Sequence, residues 1–282
     1  MIKMILKGVM MGVANIIPGV SGGTMAVSMG IYDKMIHAAT HLFSEFKKSM
    51  KILIPIVIGM GIGIVVLARI IEYMFVRIPF QTNLLFIGLI IGGLPAIAGK
   101  VKGKTIRLGH ILAFLLFFGL VAGLALLGEQ EGAAADLSFN VVNVVKLFGV
   151  GIVASATMVI PGVSGSMMLM LMGYYNPVLG EINGFIDHLI DFNVPGLLDG
   201  CKVLAPFGIG VVVGIFAIAK AIEIIFQKFP DHAYWAIIGL IAASPVAIFL
   251  MNNMGKITFI SIATGVVALA AGIIIALKLG EE

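Results

Sequence analysis

Long apolar runs separated by short polar joints dominate the chain, at about residues 4–31, 52–76, 84–99, 108–128, 144–175, 203–226, 234–251 and 257–279. Runs of this kind suit helices across a hydrocarbon core of roughly 30 Å. None shows the alternating segments of about 10 residues that a membrane barrel requires. The pattern predicts an all-α polytopic membrane protein. Two runs are interrupted at matching places, by "IIPGVSGGT" at 16–24 and "VIPGVSGSM" at 159–167. Between 37 and 51, Leu42, Phe43, Phe46 and Met50 recur at helical spacing among His41, Glu45, Lys47, Lys48 and Lys51. That pattern predicts a helix lying in the headgroup layer, with a plain cytoplasmic connector as the alternative.

The segment after each interruption also repeats. "PIVIGMGIGIVVLARIIEYMFVRIPFQTNLLFIGLI" from Pro55 aligns without gaps on "PFGIGVVVGIFAIAKAIEIIFQKFPDHAYWAIIGLI" from Pro206. The alignment pairs Gly59 with Gly210, Gly63 with Gly214, Arg69 with Lys220, Glu72 with Glu223, Pro79 with Pro230 and Gly88 with Gly239. A single membrane domain of two internal repeats follows, about 1–127 and 144–282, joined by the polar loop 128–143.

Basic residues arbitrate the topology, because lysine and arginine concentrate on the cytoplasmic side. If each interrupted segment dips into the bilayer and returns, all of the 18 lysines and arginines except Arg69, Arg77, Lys146, Lys202 and Lys256 share one side or its boundary. If each spans once, the split is nearly even, and Glu181, Asp187, Asp191 and Asp199 join the basic side. The expected fold is therefore two inverted repeats, each a re-entrant broken-helix hairpin followed by three transmembrane helices, with both termini cytoplasmic. The start "MIKMILKGVMMGVANIIPG" resembles a signal peptide but has no small-x-small cleavage site and recurs internally, so it belongs to the mature fold.

Breaking a helix inside hydrocarbon frees backbone groups at several kcal/mol each unless protein or water satisfies them. In "PGVSGG" and "PGVSGS" a proline ends one half-helix, glycines permit turns and close approach, and hydroxyls sit at the start of the next. Such a start offers N–H groups and a positive dipole end to an anion, phosphate especially. Asn15, Ser21, Thr24, Ser28, Ser155, Thr157, Ser164 and Ser166 gather around the breaks. Tight helix packing through glycine is the alternative use of the same residues. Arg69 with Glu72, and Lys220 with Glu223, repeat an i, i+3 spacing. They are either local ion pairs or, functionally, cations offered to an anion beside proton or cation sites. His110, near a helix boundary, is a further proton-relay candidate or a hydrogen-bonded structural histidine.

Composition narrows the function classes. A chain 60% hydrophobic and 11% charged cannot cover a soluble globule. The net charge of +4 belongs to residues flanking apolar spans and indicates no nucleic-acid partner. Cys201 is the sole cysteine, which excludes an internal disulfide and any multi-cysteine metal site. "GKVKGKT" at 99–105 has Ala98 where a P-loop needs its first glycine, so it is a basic loop. No HExxH occurs, the five histidines read as scattered, and Ser21 and Ser164 lack the G-x-S-x-G context of a hydrolase. No cofactor or metal is expected, and an enzyme has little support.

The twin "PGVSGGT" and "PGVSGS" motifs, with "GIYD" and "GYYN" behind them and the "FIGLIIGGLP" and "IIGLIAASP" echoes, resemble the prokaryotic polyprenyl-phosphate transporters of the PopT type, formerly a domain of unknown function. The resemblance covers nearly the whole chain. It implies a flippase-like transporter in the plasma membrane that returns undecaprenyl phosphate from the outer to the inner leaflet for reuse in cell-wall synthesis. It also implies a headgroup path around Pro18, Gly19, Ser21, Gly22, Gly23 and Thr24 on one break and Pro161, Gly162, Ser164, Gly165 and Ser166 on the other. With Asn15, Arg69 and Lys220 these make the expected substrate-binding set. Glu72, Glu223 and His110 are the candidates for coupling to a proton or sodium gradient. A secondary transporter of a small soluble anion is the alternative.

Overall fold

A computed structural model describes residues 1–15, 21–127 and 134–280, with the side chains of 68, 69, 72 and 96 also outside the description. The described residues hold helices and no strand, as the apolar pattern predicts. In chain order these are α1 (Ile2–Ala14), α2 (Gly22–Ser28), α3 (Tyr32–Thr40), α4 (Phe46–Arg77), α5 (Pro79–Val101), α6 (Leu108–Leu127), α7 (Val141–Val159), α8 (Gly165–Leu171), α9 (Tyr175–Ile190), α10 (Val194–Lys228), α11 (Pro230–Met251) and α12 (Phe259–Gly280). By length and composition, α4, α5, α6, α7, α10, α11 and α12 can cross a membrane. This is a multi-pass membrane protein. At 13 residues, α1 is about 20 Å long and falls short of the hydrocarbon thickness on its own.

The repeated sequence makes repeated joints. Pro79 and Pro230 open α5 and α11 at the first helical position, where the missing N–H costs nothing and the preset φ suits a helix. The single residue before each proline adopts almost one conformation, Ile78 at φ −138°, ψ 57° and Phe229 at φ −135°, ψ 55°. Behind each break, α2 and α8 end alike. Gly30 and Gly173 take positive φ (68° and 75°), and the next amides, of Ile31 and Tyr174, reach back to the Ala26 and Leu169 carbonyls at 2.9 Å. That is a Schellman cap, which favours glycine at the left-handed position.

The chain gathers into two compact units: residues 1–128 with 160–163 and 219–282, and residues 129–159 with 164–218. In the first, α1 and α4 run the same way, Gly8 lying on Ile56 and Gly12 on Met60. Alongside α1, and packed on α5, α2 runs back: the Gly22 amide meets Asn15 and the Met29 carbonyl meets Lys7. In the second unit α7 and α10 also run in parallel, Phe148 lying on Gly210 and Ile152 on Gly214. There α8 runs back, with Gly165 near Thr157 and Leu169 packed on Val150 and Ala154.

Also in the first unit, α5 and α11 are antiparallel. Asn83 near the start of α5 donates to the carbonyl of Asn253 beyond the end of α11, and Lys104 beyond the end of α5 pairs with Asp231 at the start of α11. Each of these helices has a further partner: α6 lies along α11, with Phe114 on Gly239, and α12 lies along α5, with Leu269 on Gly88. The expected helix over 37–51 is broken, since α3 ends at Thr40, turns occupy 41–45 and α4 starts at Phe46. The Glu45 amide bonds the His41 carbonyl and the Ser49 hydroxyl reaches it too, which closes the turn. Phe43 and Phe46 remain exposed.

Candidate functional site

Beside the first break, the Gly22 and Thr24 amides are met by side chains of the same hairpin. Asn15 Oδ1 accepts from the Gly22 amide at 2.7 Å, and Ser21, the N-cap of α2, accepts from the Thr24 amide at 3.2 Å. The two hydroxyls of Ser21 and Thr24 lie 3.1 Å apart. Both receive the Gly162 amide of the second break, at 3.0 and 2.8 Å. Residues 160–163 thus lie against the first hairpin. Gly162 has φ +82°, and a Cβ there would press on the Leu240 carbonyl and Val121 at 3.2 Å. A Cβ on Gly23 would sit 3.2 Å from Pro161 Cα, so this close passage depends on glycine on both strands. Ser21 and Thr24 are buried, as is all of α2.

The rest of the second break is looser. Ser164 caps α8 by accepting from the Met167 amide at 3.5 Å and lies 2.9 Å from the Ser166 hydroxyl. Gly165 packs against Thr157, whose hydroxyl donates to the Ala154 carbonyl. In α8 only Met167 and Leu169 are buried. Pro18 and Gly19, the first break's counterparts of Pro161 and Gly162, lie outside the described residues, as do the side chains of Arg69 and Glu72.

Two expected residues have definite partners. Lys220 Nζ donates to Glu223 Oε2 at 2.7 Å, so this pair is formed locally, on a glutamate that is 8% exposed. His110 Nδ1 accepts from the Arg107 amide at the start of α6, and its ring is buried beside His232 and Trp235. That is a helix-capping position. Lys7, used in the sequence only to set topology, is buried with its ammonium 2.9 Å from the Met29 carbonyl at the end of α2. A cation there complements the helix C-terminus.

Four of the five histidines are not scattered as their sequence positions implied. His37 and His41 stack at 4.1 Å between ring centroids and both face Glu223, and His110 meets His232 edge-on at 4.7 Å. Linear distance concealed the second pair, while the i, i+4 spacing in "HAATH" at 37–41 was a readable signal for the first.

With the buried Ser21 and Thr24 hydroxyls and the Gly162 amide they receive established, sequence comparison identifies the family. The family model described as undecaprenyl phosphate translocase-like covers residues 11–266. The chain belongs to this family. A polyprenyl-phosphate transporter of Staphylococcus aureus is 31% identical over 98% of this chain and 95% of its own length. A polyprenyl-phosphate transporter of Vibrio cholerae is 28% identical over 83% of this chain and 73% of its own length. No solved structure matches the chain. As a member of the translocase-like family, the chain carries both breaks and both α4–α5 and α10–α11 joints within the matched region.

Proposed function

We propose that this protein carries undecaprenyl phosphate from the outer to the inner leaflet of a prokaryotic plasma membrane, returning it for reuse in cell-wall synthesis. The observation that carries the reading is the contact of residues 160–163 with α2, where the Gly162 amide is shared by the Ser21 and Thr24 hydroxyls. Polar groups in an apolar bundle cost free energy unless satisfied. Here they satisfy one another in a way that a phosphate could replace, each hydroxyl turning from acceptor to donor. Asn15, Ser21, Gly22, Gly23, Thr24, Pro161, Gly162, Ser164, Gly165 and Ser166 form the headgroup path, and the prenyl tail stays in lipid.

The halves act as inverted repeats with re-entrant hairpins. The opposed directions of α5 and α11, which are equivalent in sequence, support the inversion, and the return of α2 along α1 and of α8 along α7 supports the hairpins. Both termini and the basic 100–107 loop face the cytoplasm. Inward movement of a phosphate monoester against an inside-negative potential costs about 2.3 kcal/mol per charge per 100 mV, for roughly 1.5–2 charges. Coupling to a proton or sodium gradient offsets that cost, with Glu223, Glu72 and His110 as carriers; Arg69 and Lys220 contribute positive charge.

Native mass spectrometry of the purified protein with undecaprenyl phosphate, undecaprenyl diphosphate and inorganic phosphate tests the reading. Selective retention of the lipid monophosphate is the expected result, weakened at least tenfold in Ser21→Ala/Thr24→Ala. Retention of inorganic phosphate alone would replace it with transport of a small soluble anion, and retention of none would return the breaks to architecture.

A further inference from the structure

Three potential metal-ligand atoms from two helices converge in the first unit, apart from the breaks. His41 Nδ1 lies 3.4 Å and His37 Nδ1 3.8 Å from Glu223 Oε1, and all three donor atoms fall within 4.8 Å of one another. We propose that His37, His41 and Glu223 bind one divalent transition-metal ion of the Zn2+ class, joining α3 to α10.

The spacing fits. Metal–nitrogen and metal–oxygen bonds near 2.1 Å in a tetrahedron place ligand atoms roughly 3.4 Å apart. Of the three edges, His41–Glu223 already has that length, and the two that involve His37, 3.8 Å to Glu223 and within 4.8 Å to His41, close by rotation of His37, whose side chain is 55% exposed. Two imidazoles with one carboxylate are a donor set suited to zinc and its neighbours rather than to calcium or magnesium, which prefer oxygen. The fourth position of a tetrahedron is left to water.

The surroundings also suit a cation. His41 is the C-cap of α3, where the helix carbonyls carry partial negative charge. Lys220 holds Glu223 by Oε2 and leaves Oε1 to the histidines, so it orients the carboxylate from outside the ligand set. The contacts an ion would displace run through α3: Thr40 Oγ1 lies 3.0 Å and the His37 carbonyl 3.2 Å from His41 Nδ1, and the Thr40 hydroxyl also bonds the Glu223 carboxylate.

The histidine pair comes from the first repeat and the carboxylate from the second. With the breaks in register, Asp33 pairs with Asn176, and the same offset sets His37 against Gly180 and His41 against Gly184. Bound there, the ion ties α3, which continues the first hairpin, to the helix that carries Glu223.

The test is Co2+ titration of the chelator-stripped, tag-free full chain in detergent, in a Cys201→Ser background that removes the exposed thiol. One Co2+ per chain with visible d–d absorption, displaced by Zn2+, is expected. His37→Asn/His41→Asn should weaken binding at least a hundredfold and Glu223→Gln at least tenfold. Because the first variant changes side chains at the surface of α3, its unaltered elution and helicity check that the fold persists. Absence of d–d bands in the parent protein, or equal affinity in the double variant, overturns the proposal. No lipid enters the measurement, so the result stands apart from that of the lipid-binding test.

Discussion

The two hairpins start from nearly the same motif and end in unequal surroundings. All seven residues of α2 are buried, whereas α8, also seven residues, buries only Met167 and Leu169. Part of the reason is one position in the following helices. Gly93 of α5 lies against the backbone of Ser28 at the end of α2, so closely that a Cβ would overlap its Cα. The alignment of the repeats puts Ser244 of α11 at the matching place, where its hydroxyl bonds the Leu240 carbonyl within its own helix. Lys7 adds a second tie by holding the Met29 carbonyl, and its counterpart is the apolar Val150. Sequence symmetry thus sets the chain path, and a few unmatched residues set how tightly each hairpin is held.

The strongest way to break this comparison is Gly93→Ala. The new methyl meets backbone rather than a flexible side-chain end, so α2 must shift. Overpacking of this kind costs about 1–3 kcal/mol, occasionally more, and the upper end is expected here. A thermal unfolding midpoint lowered by several degrees in detergent would be the readout, together with loss of lipid binding. Ser244→Ala, which only removes an intrahelical hydroxyl contact, should change little by the same measure. If both variants behave alike, the tight seating of α2 does not depend on Gly93.

Much of this was legible in the sequence, for local reasons. Proline at a helix start, glycine in the left-handed turn and serine at an N-cap act within four residues, so the breaks, the caps and the repeated joints could be read directly. What could not be read depends on partners far along the chain or on faces that carry no contrast. In lipid, the packed and the outward sides of a helix are both apolar, so the pairing of α6 with α11 and of α12 with α5 left no periodic mark. The turn at 41–45 has neither proline nor glycine, and the apolar spacing ran on through it. Glu223 was noted for its neighbour Lys220, but nothing in its vicinity announced His37 and His41.

A smaller effect sharpens the same contrast at the half-helix starts. Ser21 receives both its own Thr24 amide and the Gly162 amide, while Ser164 receives the Met167 amide at a longer 3.5 Å. Loss of an N-cap typically costs about 1 kcal/mol. Ser21→Ala should reach or exceed that value, because the Gly162 amide also loses one of its two acceptors, and Ser164→Ala should fall below it. Equal shifts in urea or thermal unfolding would show that the second break is capped as firmly as the first.

The smallest effect concerns the loop that leads into α7. Asp136 accepts from the Ser138 amide at 2.8 Å, from the Ser138 hydroxyl at 2.7 Å and from Asn143 at 3.2 Å. The Ser138 backbone bond first, then those side chains, hold its carboxyl below the ordinary carboxylate value. A group whose folded value is depressed contributes stability that is present above its unfolded value, near 3.9, and fades as pH falls through the folded one. The carboxylate is fully solvated, so the contribution is slight. Asp136→Ala should therefore leave unfolding at pH 7 only marginally easier, and the difference from the parent protein should shrink below pH 4. A gap that stays constant down to pH 3 would mean that Asp136 acts through loop geometry rather than charge, and the entry to the looser hairpin would then be set by Asn140 and Asn143 alone, through the Asn140 cap on the Asn143 amide.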